Sequence, residues 1–221
     1  MKTLLRIRKN YKSAFYLDLM KKVLFSKKLD EHNIKLRDYL LNKFKEYVSL
    51  DSCNLLEIGC GNGRFATLLG PKVKSYTGIE PDKEYLKIAE STTPKEVNVK
   101  YYWGKAEDVP ITNKRFEVIL YAFSWHFIQD FDKAIFEAKR LLNKNGIIVI
   151  YEPSKQTKKW ASSRLTKGSK DFDERLYKNK LLDLDKGKKA ISKLERNDLS
   201  VIEKEIDDGE NPNLWVIRSS L

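Results

Sequence analysis

Asn54-Leu55-Leu56-Glu57-Ile58-Gly59-Cys60-Gly61-Asn62-Gly63-Arg64-Phe65 is the stretch that decides how this chain folds. Leu55 to Ile58 is a short apolar run of the kind that forms a buried strand. It stops at three glycines spaced two apart, and Phe65-Ala66-Thr67-Leu68-Leu69 resumes with helix-compatible residues. A strand, a glycine turn and a helix make a place where backbone can approach a ligand closely. No Cβ stands in the way there, and the N–H groups at the helix start point at the ligand. Taken alone, the turn also fits an ordinary tight connection in an α/β protein.

Downstream, strands and helices alternate. Val73 to Glu80 reads as a second strand ending in an acid, and Pro81-Asp82 opens a helix running through Ala89, with proline well placed near the first turn. Asn98 to Trp103 has strand composition, and Gly104-Lys105-Ala106-Glu107-Asp108-Val109-Pro110 forms the loop after it. Phe116 to Tyr121 is a fourth strand, with Ala122-Phe123-Ser124-Trp125-His126-Phe127 as its exit. A helix over Asp132 to Leu142 stops at Asn143-Lys144-Asn145-Gly146. The nearly all-apolar Ile147 to Tyr151 then suits a sheet covered on both faces. Such alternation predicts an α/β, doubly wound, mostly parallel sheet.

The flanks differ. Residues 1–50 read as amphipathic helices, an N-terminal helical cap that packs on the sheet or also covers the site. Residues 154 to about 185 form a basic insert, with Lys155, Lys158 and Lys159 near Trp160 and Phe172. Lys186 to Asn197 reads as a helix, and Ser200 to Ile206 with Leu214 to Arg218 as a closing hairpin.

Composition narrows the classes. The two cysteines give no disulfide framework and no zinc pattern, and two histidines are too few for a typical structural metal site. A metal-free protein of the reducing cytoplasm is expected. Neither a membrane span nor a secretory signal is expected from the apolar runs of the sequence. The net charge of +12 fits a polyanionic partner such as RNA, or a general lysine enrichment set by genome or habitat.

Of the cofactor-binding turns, the dinucleotide fingerprint G-x-G-x-x-G would need a third glycine where Arg64 stands. The spacing here is G-x-G-x-G, with Glu57 two residues before it. Together with the acid ending strand two, the acidic loop after strand three and the aromatic-His exit of strand four, this resembles the class I S-adenosylmethionine (SAM)-dependent methyltransferases over most of residues 50–221. Trp125-His126, Arg140-Leu141-Leu142 and Asn145-Gly146 look like the subgroup that methylates small molecules, quinone precursors and some tRNA bases. The resemblance implies a Rossmann-like, seven-stranded sheet, with residues 51–221 as the SAM-binding domain, and S-adenosylhomocysteine as a product.

The resemblance also implies site residues. Gly59, Cys60, Gly61 and Gly63 would cradle the methionine and ribose portions, and Glu57 would hold the amino group. Glu80 would accept the ribose hydroxyls, since a carboxylate offers two oxygens, and Pro81 would border the adenine. Each acid has a plainer alternative, as a cap for nearby N–H groups at a strand end or helix start. The family's Gly-Asp-Ala run is Gly104-Lys105-Ala106 here, so Ala106 would offer its N–H while Glu107 or Asp108 takes the adenine amino group. Tyr121 and Ala122 would face the cofactor, and Trp125 and His126 the substrate.

Methyl transfer is an in-line displacement at a sulfonium, helped by positioning and by aromatic faces. A base is needed only where the acceptor loses a proton, and His126 is the candidate; it also fits a helix-capping or loop-packing histidine. Tyr121, Trp125 and His126 are therefore the catalytic candidates. A small-molecule acceptor is expected, with RNA gripped by the basic insert as the alternative and a non-catalytic SAM-binding scaffold as a third reading.

Overall fold

The structure is a computed structural model and describes residues 27–152, 190–194, 197–205 and 213–219. The expectations for the basic insert, for Trp160 and Phe172, for the first of the N-terminal helices and for the tip of the last hairpin lie outside the described residues. The chain divides into two compact units, Met1–Lys43 and Phe44–Leu221. The helix α1 (Lys27–Lys45) belongs mostly to the first. Along it Leu36, Leu40 and Leu41 are buried, at the spacing of one helical face.

The second unit is a seven-stranded sheet. In chain order it contains β1 (Asn54–Ile58), α2 (Arg64–Leu69), β2 (Ser75–Glu80), α3 (Lys83–Thr92), β3 (Val99–Trp103), β4 (Phe116–Ala122), α4 (Phe131–Leu141), β5 (Leu142–Glu152), β6 (Leu199–Glu205) and β7 (Asn213–Ser219). The strand order is β3-β2-β1-β4-β5-β7-β6. β1 to β5 run parallel, whereas β7 is antiparallel to both β5 and β6. The expected seven strands and closing hairpin are present. Order reverses between β1 and β4, and that is where a doubly wound sheet opens a crevice at the carboxyl ends of its strands.

Alternation along the strands explains the layers. Leu56 and Ile58 of β1, Ile119 of β4 and Ile148 and Ile150 of β5 join Phe131, Ala134, Ile135, Ala138 and Leu141 of α4 in one apolar cluster. Ala190, Ile191 and Leu194 of the helical segment 190–194 join the same cluster. Each aliphatic side chain fully buried in this way contributes about 1.5–3 kcal/mol of transfer free energy. Residues of opposite parity include Glu57, which pairs across the ladder with Gly78 of β2.

Helix starts follow local chemistry. Asp82 caps α3, accepting from the N–H groups of Glu84 and Tyr85, and Asp130 caps α4 through Lys133 N–H. One boundary differs from expectation. Asn143 to Gly146, read as a loop, is an irregular start to β5: Leu142 pairs with Phe116, the register shifts, and pairing resumes at Val118 with Ile147. Gly146 permits it, because a Cβ there would come within 2.9 Å of the carbonyl oxygens of Phe116 and Glu117.

Candidate functional site

Three buried acids stand at or near the carboxyl ends of parallel strands: Glu57 on β1, Glu80 on β2 and Glu152 on β5. Burying a carboxylate is costly unless hydrogen bonds satisfy it, so their partners define the site.

Glu80 is held by backbone. Its Oε2 accepts the Gly61 N–H at 2.9 Å and its Oε1 accepts the Asp82 N–H at 3.0 Å. Burial pushes its carboxyl above the ordinary range, and the two N–H donors oppose that rise. Glu80 is thus fixed beside the glycine turn with lone pairs remaining on both oxygens. The turn is tied to the same strand, since the N–H groups of Gly59 and Cys60 donate to Ile79 O at 2.8 and 3.0 Å.

All three turn glycines have positive φ, but their missing side chains serve different ends. A Cβ on Gly59 would lie 2.5 Å from Ser124 Cβ, and one on Gly63 would lie 2.8 Å from Tyr101 Oη and 2.9 Å from Ala89 Cβ. Of the three, only Gly61, with φ of +53°, faces open space, with nothing among the described residues within 4 Å of where its Cβ would stand. The expectation that all three leave room for a ligand is corrected: Gly59 makes room for the β4 exit, Gly63 for α3 and β3, and Gly61 alone opens outward.

Glu57 is buried under this turn and accepts a hydrogen bond from the Tyr76 hydroxyl. Burial is the main reason its carboxyl is pushed up to about 8, against the lowering influence of Tyr76 and of the Arg64 guanidinium. Cys60 lies in the same cluster, and its thiol is also pushed up, by burial and by Glu57 and Glu80. Neither Cys60 nor Cys53, raised to about 12, is a thiolate nucleophile at neutral pH.

The β4 exit closes the other side of the crevice. Phe123 sits in the left-handed region at φ of 57°, a conformation that costs a non-glycine residue. Its N–H donates to Tyr151 O at 2.8 Å, and its ring lies 5.1 Å from that of Tyr151 and 6.2 Å from that of Phe65. Ser124 Oγ donates to Ile58 O at 2.5 Å, fastening the exit to the end of β1. A single 3-10 turn, Trp125–Phe127, follows.

Tyr121 and Trp125 are not where the sequence reading put them. Both are 1% exposed members of the apolar cluster under α4, with rings 4.9 Å apart edge to face, and Trp125 also packs 5.1 Å from Phe131. The parity of β4 turns Tyr121 into the core, and the 3-10 turn carries Trp125 after it. They hold the loop from below. Ala122, the last residue of β4, is buried.

His126 is buried as well, and its Nδ1 meets Glu152 Oε2. The other oxygen of Glu152 accepts the Trp125 N–H at 3.0 Å. Sequence reading missed Glu152. The available signal was an acid ending an otherwise apolar strand, the pattern that picked out Glu80.

The loop after β3 is built around its own backbone. Lys105 and Asp108 bridge each other, Lys105 is exposed and Ala106 is buried. Glu107 Oε1 accepts the N–H groups of Gln129 and Asp130 at 3.0 and 3.3 Å, so one of its oxygens is committed to the start of α4. Arg140 fastens the loop from α4, donating to Ile111 O at 2.6 Å and to Val109 O at 3.2 Å. At the β2 end, Trp103 Nε1 donates to Pro81 O at 2.9 Å. Among the described residues no cluster of His, Cys, Asp and Glu could hold a metal ion, and no helix is long and apolar enough to cross a membrane.

Residues 56–150 match the family model of a methyltransferase domain. Over 95 residues the chain is 37% identical to an uncharacterised protein of Methanocaldococcus jannaschii, an alignment covering 43% of this chain and 42% of that one. It is 29% identical over 105 residues to the demethylmenaquinone methyltransferase of Staphylococcus aureus strain MRSA252, covering 46% of this chain and 44% of that one. The chain thus spans less than half the length of these relatives. Its fold is similar to that of a Methanococcus maripaludis structure described as an S-adenosyl-L-methionine-dependent methyltransferase. The TM-score is 0.66 at 20% identity, over 94% of this chain and 92% of that one.

Proposed function

We propose that this chain, whose residues 56–150 match the family model of a methyltransferase domain, binds SAM at the β1–β4 crevice and transfers the methyl group to a small-molecule acceptor. One observation carries the cofactor reading: the open face of Gly61 lies beside the fixed carboxylate of Glu80, joined to it by a 2.9 Å hydrogen bond. That pairing suits a ligand with vicinal hydroxyls next to a bulky chain that needs close backbone approach.

In this reading Glu80 accepts the ribose hydroxyls and Gly61 passes the methionine chain. Glu57 faces the amino group with Tyr76 and Arg64 around it. Pro81, Ala106 and the second oxygen of Glu107 border the adenine. SAM supplies an electrophilic methyl group on a sulfonium; the protein binds it, orients it and excludes water. The name of the Staphylococcus aureus relative is that of an enzyme with a small-molecule acceptor, and this supports that class here. The cytoplasm is the compartment assigned, on the strength of two free cysteines.

Calorimetry with SAM and S-adenosylhomocysteine tests the cofactor. Transfer of a labelled methyl group into a cell extract lacking the protein, split into small-molecule, RNA and protein fractions, tests the acceptor. Label among small molecules is the expected result; label in RNA, removed by nuclease, would transfer the role to the basic insert. SAM bound without label anywhere would make the chain a scaffold.

A further inference from the structure

Beyond cofactor binding, one buried polar atom on the turn after β4 is unexplained by the fold of the described residues. His126 and Glu152 have side chains only 1% and 3% exposed, and they meet through Nδ1 and Oε2. The opposite nitrogen, Nε2, is buried and has no hydrogen-bond partner among the described residues. An unmet buried polar group costs about 1–3 kcal/mol, and native structures keep few of them without a reason.

The partners fix the proton. A carboxylate only accepts hydrogen bonds, so in the neutral imidazole it draws the proton onto Nδ1. Glu152 cannot swing away, because Oε1 is held by the Trp125 N–H at 3.0 Å, one residue before the imidazole. Nε2 is then left as a bare lone pair. Two residues upstream, Ser124 abuts Gly59 and bonds Ile58 O, so the turn carrying His126 is fastened to the glycine turn itself. The Phe127 ring, 4.1 Å from the imidazole, is half exposed and flanks it.

We infer that Glu152 and His126 form a carboxylate–imidazole dyad in which Nε2 is the general base for a hydroxyl acceptor, with Glu152 as the positioning residue. This rests on the methyltransferase reading above. The acceptor O–H proton passes to Nε2 as an oxygen lone pair forms the bond to the SAM methyl carbon. The carbon–sulfur bond breaks onto sulfur, leaving S-adenosylhomocysteine and an imidazolium stabilised by Glu152. A hydroxyl is an acceptor that needs such a base. A phenol, with a pKa near that of tyrosine at about 10, keeps its proton near neutrality, so its oxygen attacks only as a base takes that proton. General bases of this kind contribute about 10²–10⁴-fold to rate.

The test begins without SAM. The chain has two histidines, so the full-length His32→Gln protein, labelled with ¹⁵N, shows a single imidazole. The expected spectrum of the neutral ring has the proton on Nδ1 and a bare Nε2; a proton on Nε2 overturns the proposal. In Glu152→Gln, the amide oxygen stays with Trp125 N–H and its NH₂ faces Nδ1, so the proton moves to Nε2. An unchanged tautomer with unchanged turnover overturns the positioning role. His126→Gln is expected to keep SAM affinity and lose turnover by about 10²–10⁴-fold. In the extract assay, label appears as methyl ethers; label carried on nitrogen or carbon overturns the hydroxyl assignment. Absent SAM binding by calorimetry overturns the methyltransferase reading alone, because the tautomer is judged independently of it.

Discussion

Gly61 donates its backbone N–H to Glu80 Oε2 at 2.9 Å, joining the turn after β1 to the acid that ends β2. The bond holds a carboxylate beside a glycine whose missing side chain faces open space. Gly61→Val should therefore fold, at a cost of about 1–2 kcal/mol for a β-carbon in the left-handed region. It should lose SAM affinity by at least about a hundredfold, the size of a steric block worth about 2.7 kcal/mol. Calorimetry on the folded variant decides: retained affinity places the cofactor elsewhere.

Gly63→Ala should behave in the opposite way. Its Cβ would meet Tyr101 Oη at 2.8 Å and Ala89 Cα at 3.0 Å, with φ of +80°. Overpacking of this kind costs about 1–3 kcal/mol before the backbone strain is added. The thermal midpoint should fall clearly below that of Gly61→Ala, and residual SAM binding should track the folded fraction. Equal midpoints for the two variants would mean that α3 does not pack on the turn as described.

Glu80→Gln keeps the shape of the side chain but turns one accepting oxygen into a donor. That NH₂ must then face either the Gly61 or the Asp82 N–H, both of which donate to the carboxylate in the wild type. Hydrogen bonds to charged groups contribute about 1.5–3 kcal/mol, so SAM should bind about 10- to 150-fold more weakly. Titration of SAM and of adenosine should show similar losses, because the defect lies at the ribose. A loss confined to SAM would move Glu80 away from that role.

Much of this was legible in the sequence because it is local. The run Leu55 to Ile58, the glycines and the alternation downstream depend on residues a few positions apart. Glu57 and Glu80 could be read because each adjoins a recognisable turn. Glu152 ends its strand as Glu80 does, but its role could not be read, since its partner His126 lies 26 positions away and only the β4–β5 pairing brings them together. Nor could the separate duties of the three glycines be read, because Ser124, Ala89 and Tyr101 are distant neighbours. Tyr121 and Trp125 were misplaced for a related reason: an aromatic at a strand exit reads the same whether it faces the crevice or the core, and only parity within the sheet decides.

Arg140 tests how the loop after β3 is held. Its guanidinium donates to the carbonyls of Ile111 and Val109 and to both oxygens of Glu137, which in turn accepts the Val109 N–H at 3.0 Å. Lysine cannot reproduce that planar fork. Arg140→Lys should lower stability by about 1–3 kcal/mol. Amide exchange should rise at Val109 and Ile111 before it rises in β4. Uniform acceleration across the domain would show that Arg140 supports the fold at large rather than this loop.

Glu57 gives the domain a pH signature. Its carboxyl is pushed from 4.5 to about 8 in the folded chain, with burial as the main cause. The folded state therefore holds this proton more tightly than the unfolded state does. The stability it contributes is fully present below pH 4.5 and is lost as the pH rises towards 8. Within that window the loss approaches about 1.4 kcal/mol per pH unit. Glu57→Gln removes the titration while leaving an oxygen to accept the Tyr76 hydroxyl. Denaturant melts from pH 5 to 8 should show wild-type stability falling relative to that of the variant, with the difference levelling off above pH 8. Parallel curves would mean that Glu57 is ionised in the folded protein, with Arg64 rather than Tyr76 as its controlling partner.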